Sequence, residues 1–275
     1  TKVVVRLMRQ PEAVKTLLGV FHSVDDASRA VAEITARTIT PVALEMLDHP
    51  TLKIVEDYCR AGYPVDAGAV LLIELEGLAE QIEWQAEQVA EVAMQCGARE
   101  VRVAKTPRER ELLWMGRKNA FGAIGRVTTH FYVQDGVVPR TRLPAAMRFI
   151  QEVSQRYGLT ICNIFHAGDG NLHPLILFDA RLPGQYEKVV QAGTEILNHC
   201  IQAGGSITGE HGVGLEKRNL MMALFSADDL ATMQRIKTVF NPADTFNPLK
   251  MLPSAKSCLE VKLSAHRFAS VPPMA

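Results

Sequence analysis

The chain has 275 residues, of which 47% are apolar and 22% are charged, and its 30 Lys and Arg balance its 30 Asp and Glu. This composition is typical of a globular protein. A net charge of zero argues against a nucleic-acid or anionic-membrane partner, because both need a basic surface. The sequence has no apolar run near the roughly 20 residues that a membrane helix needs, so no membrane span is predicted.

The five cysteines indicate a reducing compartment, and we predict a cytoplasmic protein. They are odd in number and scattered, without a C-x-x-C pair, which argues against a disulfide framework or an iron–sulfur site. The chain begins at Thr1 and passes directly into an apolar run at residues 3–5. We interpret this as a start inside a longer protein or as the loss of an initiator methionine.

Strands and helices alternate along the chain in a pattern that occurs twice. Strands are predicted at residues 16–21, 41–47, 69–75, 100–104, 130–133, 160–166, 172–178 and 206–208. Helices are predicted at residues 23–37, 52–60, 80–96, from 106 onward, 144–157 and 186–203, with two more after Leu215. Ser23 and Ser226, each followed three residues later by Asp, resemble helix starts with a capping box.

Each half of the chain reads β-α-β-β-α-β, which is the ferredoxin-like order. We therefore predict an α+β fold in which two ferredoxin-like units share one antiparallel sheet, with helices on one face and further helices near the C-terminal end. Residues 1–250 are assigned to one domain and residues 251–275 to a C-terminal tail.

The segment 164–174 predicts a β-hairpin that carries two histidines. Asp169-Gly170 is a typical two-residue hairpin turn, and pairing outward from it places His166 directly opposite His173. Opposed residues share a face, with Cβ atoms roughly 5 Å apart, so the two imidazoles can bind one divalent ion. Alternatively, one histidine caps the turn and the other is a solvated strand residue.

Residues 208–214 surround the adjacent pair Glu210 and His211 with three glycines and lead into a helix start. Glu210 can add a carboxylate to the two histidines, which gives the two-His-one-carboxylate set of open metal sites. His211 is then available to move a proton. Alternatively, the loop is structural or binds an anion at the helix N-terminus. In an ideal ferredoxin-like sheet the hairpin turn and this loop lie at opposite ends, so bringing Glu210 to His166 requires another strand order or a loop that folds back.

Arg117 follows the apolar residues 112–114 on a predicted helix. A guanidinium binds a carboxylate through two parallel hydrogen bonds, so Arg117 suits an organic acid as substrate. The alternative is a solvated surface arginine, since the chain has 30 basic residues.

Five strings of residues together resemble the C-terminal cap domain of FAD-linked oxidases of the vanillyl-alcohol-oxidase type. They are residues 116–121, 135–140, 163–179, 206–217 and 246–250. The similarity is greatest to the branch of that family that contains glycolate oxidases and D-lactate and D-2-hydroxyglutarate dehydrogenases, and it covers residues 2–253.

The resemblance implies roles for individual residues. It implies His166, His173 and Glu210 as ligands of a divalent metal, for which Zn, Fe and Mn all suit the donor set. It implies His211 as the base that abstracts the substrate proton.

It also implies Arg117 as the anchor of the substrate carboxylate and Asn171 as a residue that faces substrate and flavin. Asn247 lies in the segment that returns to the FAD domain in that family. The glycine-rich pyrophosphate loops of an FAD domain are absent from this sequence, so FAD would be bound mainly by an N-terminal domain outside it.

The expected function is therefore the substrate- and metal-binding part of an FAD-dependent 2-hydroxy-acid dehydrogenase of the glycolate or D-lactate type. The isolated chain is expected to be inactive, and an exposed face for the FAD domain would favour homo-oligomers. Partner subunits, one of them an iron–sulfur protein, are implied and would hold the protein at the periphery of the inner membrane. The alternative function is a non-enzymatic module that binds a metal or a small acid.

Overall fold

The computed structural model describes residues 2–7, 9–37 and 39–253. By their internal contacts these residues form two compact units. Unit 1 comprises the described residues up to Ala120 together with His166–Gly168, and unit 2 comprises Phe121–Phe165 and the described residues from Asp169 onward. Most of the predicted tail, from residue 254 onward, lies outside the described residues, and the assignment of residues 1–250 to one domain stays a prediction.

Unit 1 is an antiparallel sheet with helices inserted between its strands. Its elements are β1 (Ala13–Phe21), α1 (Val24–Ala36), β2 (Ala43–Asp48), α2 (His49–Cys59), β3 (Ala69–Gly77), α3 (Ala79–Gln95), β4 (Ala98–Val103) and the part of α4 (Pro107–Val127) that extends to Ala120. The strand order is β4-β1-β3-β2. Strand β3 is buried continuously over its first seven residues, so its apolar run contributes side chains to both faces of the sheet.

Helix starts in unit 1 follow from short polar side chains. The Ser23 hydroxyl accepts a hydrogen bond from the Asp26 N–H at 3.1 Å and caps α1, as predicted. Helix α2 begins at His49, three residues before its predicted start, because the Asp48 carboxylate accepts from the Thr51 N–H at 3.2 Å. The predicted start of this helix was late, because Asp48 is both the last residue of β2 and the N-cap of α2.

Unit 2 contains β5 (His130–Val133), β6 (Gly136–Val137), α5 (Leu143–Tyr157), β7 (Ile161–His166, of which His166 belongs to unit 1), β8 (Asn171–Leu172), β9 (Pro174–Phe178), α6 (Gln185–Gln202), α7 (Met221–Leu224) and α8 (Ala227–Phe240). Strand β9 pairs with β5 and β7, and β8 lies between β7 and β6. The strand predicted at residues 206–208 is reduced to a single bridge between Ser206 and Val137.

The predicted register of the hairpin is wrong by two residues. A turn centred on Asp169-Gly170 would place Phe165 opposite Pro174, whereas Pro174 pairs with Asn163. The turn takes in residues 167–170, which lengthens the connection. Gly170 adopts φ +70°, and a Cβ there would lie 2.1 Å from the Val138 carbonyl oxygen, so this position requires glycine. A slip of two residues keeps each side chain on its predicted face.

The α+β class with antiparallel pairing is confirmed in both units. Helices α5 and α6 pack against each other in unit 2, and α1 and α3 pack on β1 and β3 in unit 1. Across the described ranges, no helix is both long and apolar enough to cross a membrane.

Candidate active site

One buried carboxylate organises the glycine-rich loop of unit 2. Asp135 lies between β5 and β6, and its side chain is 0% exposed. It accepts hydrogen bonds from the Thr208 hydroxyl at 2.6 Å and from the N–H groups of Gly209 at 3.1 Å, Glu210 at 3.2 Å and His211 at 3.0 Å. The loop is thereby wrapped around a single anion, in an arrangement of successive N–H donors that is typical of anion-binding backbone.

The charge of Asp135 is balanced by a buried cation. The Lys217 ammonium lies 3.1 Å from its carboxylate, and its side chain is also buried. Burial raises the pKa of Asp135, but the Thr208 hydroxyl, the His211 N–H and the Lys217 ammonium together hold this pKa well below its usual range. Asp135 is therefore ionised at neutral pH.

Three of the predicted site residues are in contact here: His173, and Glu210 and His211 of this loop. His173, in the connection between β8 and β9, is buried, and its Nε2 lies 3.1 Å from Glu210 Oε1. The rings of His173 and His211 are stacked, with centroids 4.9 Å apart and planes 1° apart. Glu210 and His211 are 54% and 45% exposed at their side chains, so this centre opens to solvent. A deep histidine is thus joined to an accessible carboxylate and an accessible imidazole.

Asn171 is buried beneath the same loop. A Cβ added to Gly209 would lie 2.6 Å from the side-chain atoms of Asn171, so glycine allows the loop backbone to rest directly on this amide. Among the described residues, no hydrogen-bond partner reaches Asn171 Oδ1. The predicted contact of Asn171 with substrate and flavin is not tested by this geometry and stays a prediction.

Arg117 and His166 converge on a second buried carboxylate, in unit 1. Glu45 on β2 lies 2.9 Å from Arg117 Nε and 2.7 Å from His166 Nδ1, one contact on each of its oxygens. Burial raises the pKa of Glu45, but the hydrogen bond with His166 and the charge of Arg117 together lower it by more. The pKa of Glu45 therefore lies below its ordinary value. A guanidinium has five N–H donors. The contact with Glu45 engages Nε and Nη2 of Arg117, so it does not use all of these donors.

A similar arrangement surrounds Glu74 on β3. Its carboxylate accepts from Arg110 at 2.9 Å and from the Trp114 indole at 2.6 Å. Arg110 and Arg117 are seven residues apart and therefore project from one side of α4. Two buried glutamates thus orient this helix, and Arg117 is held by Glu45 rather than solvated.

Asn247 lies after α8 in a backbone conformation with φ +47°. Its Oδ1 accepts from the Lys250 ammonium at 3.4 Å, and its carbonyl accepts from Lys237 at 3.3 Å. These are contacts of the C-terminal turn within unit 2. Its predicted place near the flavin stays a prediction.

The sequence reasoning missed Asp135, Lys217 and Glu45 as parts of the site. Asp135 lies in the string 135–140 that carries the family resemblance, but no role in the site was predicted for it. Glu45 gave a usable signal, because a carboxylate within the apolar strand 43–48 is expected to have a buried partner. The partner itself could not be read from the sequence.

The donor set of unit 2 fits a divalent ion. The ligand atoms of Asp135, His173 and His211 lie within 4.8 Å of one another, and Glu210 adds a carboxylate at hydrogen-bond distance from His173. Imidazole with carboxylate suits Zn, Fe or Mn. The ligand roles of His166, His173 and Glu210 stay predictions.

Fold and motifs together define the class. The family model of the C-terminal domain of FAD linked oxidases matches residues 10–251, so the chain belongs to this family. This confirms the resemblance that the five strings of residues indicated.

Several curated proteins are similar to this chain. It is 44% identical over 260 residues to glycolate oxidase subunit GlcD of Escherichia coli K12, covering 94% of this chain and 52% of that protein. It is 38% identical over 251 residues to GlcD of Bacillus subtilis, covering 91% and 53%. A D-lactate dehydrogenase of Archaeoglobus fulgidus is 29% identical over 255 residues, covering 92% and 54%. The chain spans about half the length of these relatives.

Two solved structures share the fold. p-Cresol methylhydroxylase with substrate bound has a TM-score of 0.67 at 13% identity, covering 89% of this chain and 53% of that one. The 4-ethylphenol oxidase from Gulosibacter chungangensis has a TM-score of 0.65 at 13% identity, covering 90% and 56%. At this identity the likeness shows the fold alone.

The Glu45–Arg117 contact predicts a pH-dependent loss of stability. Arg117→Met leaves a buried carboxylate without its guanidinium, so the free energy of unfolding at pH 7 should fall by about 3 kcal/mol. Since the pKa of Glu45 is lowered in the folded protein, its pairing stabilises the fold above the ordinary pKa and is lost as the pH falls through the lowered value. The difference between wild type and variant should therefore shrink from pH 7 toward acid, measured by urea unfolding.

The matched control is Arg108→Met on the same helix, where Arg108 faces Glu111 in an exposed pair at 3.4 Å. It should change stability by less than about 0.5 kcal/mol. Equal losses at the two positions, or a difference that does not depend on pH, would contradict the buried ion pair.

Proposed function

We propose that this chain is the substrate- and metal-binding part of an FAD-dependent 2-hydroxy-acid dehydrogenase that acts on glycolate or D-lactate. The observation that carries the proposal is the centre in unit 2, where His173 Nε2 lies 3.1 Å from Glu210 Oε1 and stacks on His211. The similarity to GlcD proteins and D-lactate dehydrogenases supports this substrate class.

His173 and Glu210 would hold the divalent ion, and the family resemblance adds His166 as a further ligand. A bound Zn, Fe or Mn ion would supply a Lewis acid that stabilises negative charge on the substrate oxygen. Glu210 is exposed enough to reach an ion, and the buried His173 is fixed in its ring plane by stacking. Fixed ligands lower the entropic cost of binding.

His211 would take the proton of the substrate hydroxyl. We assign this proton to Nε2, the ring nitrogen that lies 3.8 Å from Glu210 Oε1. Its half-exposed ring is open to substrate, and three backbone N–H groups that include its own fix the loop beneath it. A base held in this way contributes typically 10² to 10⁴-fold to a rate.

Arg117 would bind the substrate carboxylate, since Glu45 fixes the plane of its guanidinium. FAD supplies the hydride acceptor when bound. It would be held mainly by a separate FAD-binding domain, with Asn171 and Asn247 facing it. The isolated chain would then bind metal and acid without turnover.

The same proposal extends to partners and location. We expect a cytoplasmic protein that assembles with other glycolate oxidase subunits, one of them carrying iron–sulfur clusters, at the periphery of the inner membrane. Docking of the FAD domain would need an exposed apolar face on this chain, and such a face would favour homo-oligomers of the isolated chain.

Metal binding tests the centre in the chain itself. His173→Ala removes a proposed ligand, so the affinity for Zn²⁺ should fall by more than the 10- to 100-fold that is typical of outer-shell changes. Isothermal titration measures this directly. The control is His22→Ala at an exposed position of unit 1, which should leave the affinity unchanged. Equal affinities of wild type and His173→Ala would remove His173 from the ligand set.

Turnover tests the proposed base. In the protein joined to its FAD domain, and at saturating Zn²⁺, His211→Ala should lower the rate of dye reduction with glycolate or D-lactate by about 10² to 10⁴-fold. His22→Ala again serves as the control. Near-normal turnover across the pH range would exclude His211 as the base. Metal binding without any turnover of either acid would favour the non-enzymatic module.

A further inference from the structure

Geometry alone allows two roles for Asp135. Its carboxylate lies within 4.8 Å of ligand atoms of His173 and His211, so it could complete a metal site. It could instead act only through the loop that it holds. The hydrogen bonds and charges around it decide between these roles.

The oxygens of Asp135 are already engaged. A carboxylate offers about four lone-pair positions, and five donor groups point at this one. They are the Thr208 hydroxyl, three successive N–H groups at residues 209–211, and the Lys217 ammonium. A metal ion on Asp135 would have to displace several of these donors.

The Lys217 charge also opposes a metal ion at this carboxylate. Its ammonium lies 3.1 Å from Asp135 Oδ2, and both side chains are buried. A divalent cation bound to the same carboxylate would face this ammonium with little solvent screening. The side chain of Glu210 is 54% exposed, so solvent screens charges at this carboxylate more strongly than at Asp135.

Two glycines of the loop adopt left-handed backbone conformations. Gly212 and Gly214 adopt φ +82° and +55°, and a Cβ at either position would meet nothing within 4 Å. Glycines of this kind leave many backbone conformations open. The N–H groups of Glu210 and His211 themselves bond to Asp135, which restrains the backbone of both residues.

We propose that Asp135, with Lys217 as its counter-ion, is a positioning residue that fixes Glu210 and His211 through the loop backbone and is not a metal ligand. This assignment rests on the proposed function for its meaning in catalysis, but its structural part is independent of that function. When Lys217 is replaced, a positioning role predicts a lower Zn²⁺ affinity, whereas a ligand role predicts a higher one.

The test uses Asp135→Asn and Lys217→Met, with Asp228→Asn, an exposed position of α8, as the control. For a positioning residue, both changes loosen the loop, so Zn²⁺ affinity falls by about 10- to 100-fold in each. If Asp135 were a ligand, Lys217→Met would free it and raise the affinity. That rise would overturn the proposal.

Cobalt spectra separate the roles further. At saturating Co²⁺, Asp135→Asn should keep the visible absorption band of the wild type, because the ligand set is unchanged. A shifted band would identify Asp135 as a ligand and overturn the proposal. If Asp135→Asn fails to fold, Thr208→Val removes one of the five donors and should show a smaller loss of affinity in the same direction.

Hydrogen exchange keeps the test independent of the metal. In Asp135→Asn the amides of Glu210 and His211 should exchange at least about 10-fold faster than in Asp228→Asn, with unchanged exchange in α6. Unchanged exchange at Glu210 and His211 would overturn the proposal. If the wild type binds no Zn²⁺, the proposed function fails, while the exchange rates still decide whether Asp135 fixes the loop.

Discussion

The candidate site depends on the burial of the Asp135 carboxylate. A carboxylate removed from water is strongly unfavourable unless donors surround it, and the loop at residues 208–211 supplies a hydroxyl and three N–H groups to this one. The requirement to solvate the charge shapes a glycine-rich loop that has no regular structure. The ammonium of Lys217 neutralises the charge of Asp135, so the loop packs around a buried ion pair without net charge.

The same principle operates twice in unit 1. Glu45 and Glu74 each lie between apolar neighbours in β2 and β3, and arginines of α4 contact both carboxylates. Breaking such pairs is unfavourable, whereas forming them adds little net stability. Their consequence is orientation, since the contact with Glu45 fixes the guanidinium plane of Arg117.

Local features could be predicted from the sequence, and long-range partners could not. Ser23 and Ser226 begin helices because their hydroxyls bond to backbone three residues away. The glycine-rich sequence around Glu210 and His211 predicts a loop, and residues 207–214 do lie outside strands and helices. Asp135 was missed because its contact with His211 spans 76 positions, and Glu45 because its contact with His166 spans 121. The predicted register of the hairpin was wrong for a related reason. Gly170 lies against the carbonyl of Val138, which is outside the hairpin and so is not part of any turn pattern.

The central claim is that His173 and Glu210 form the core of a metal centre with only nitrogen and oxygen donors. X-ray absorption at the zinc edge of the Zn²⁺-loaded chain measures this most directly. The account predicts imidazole scattering and a first shell near 2.0–2.2 Å, typical of histidine and carboxylate ligands, with the imidazole contribution reduced in His173→Ala. A shell near 2.3 Å, typical of sulfur, or an imidazole signal unchanged in His173→Ala, would contradict it.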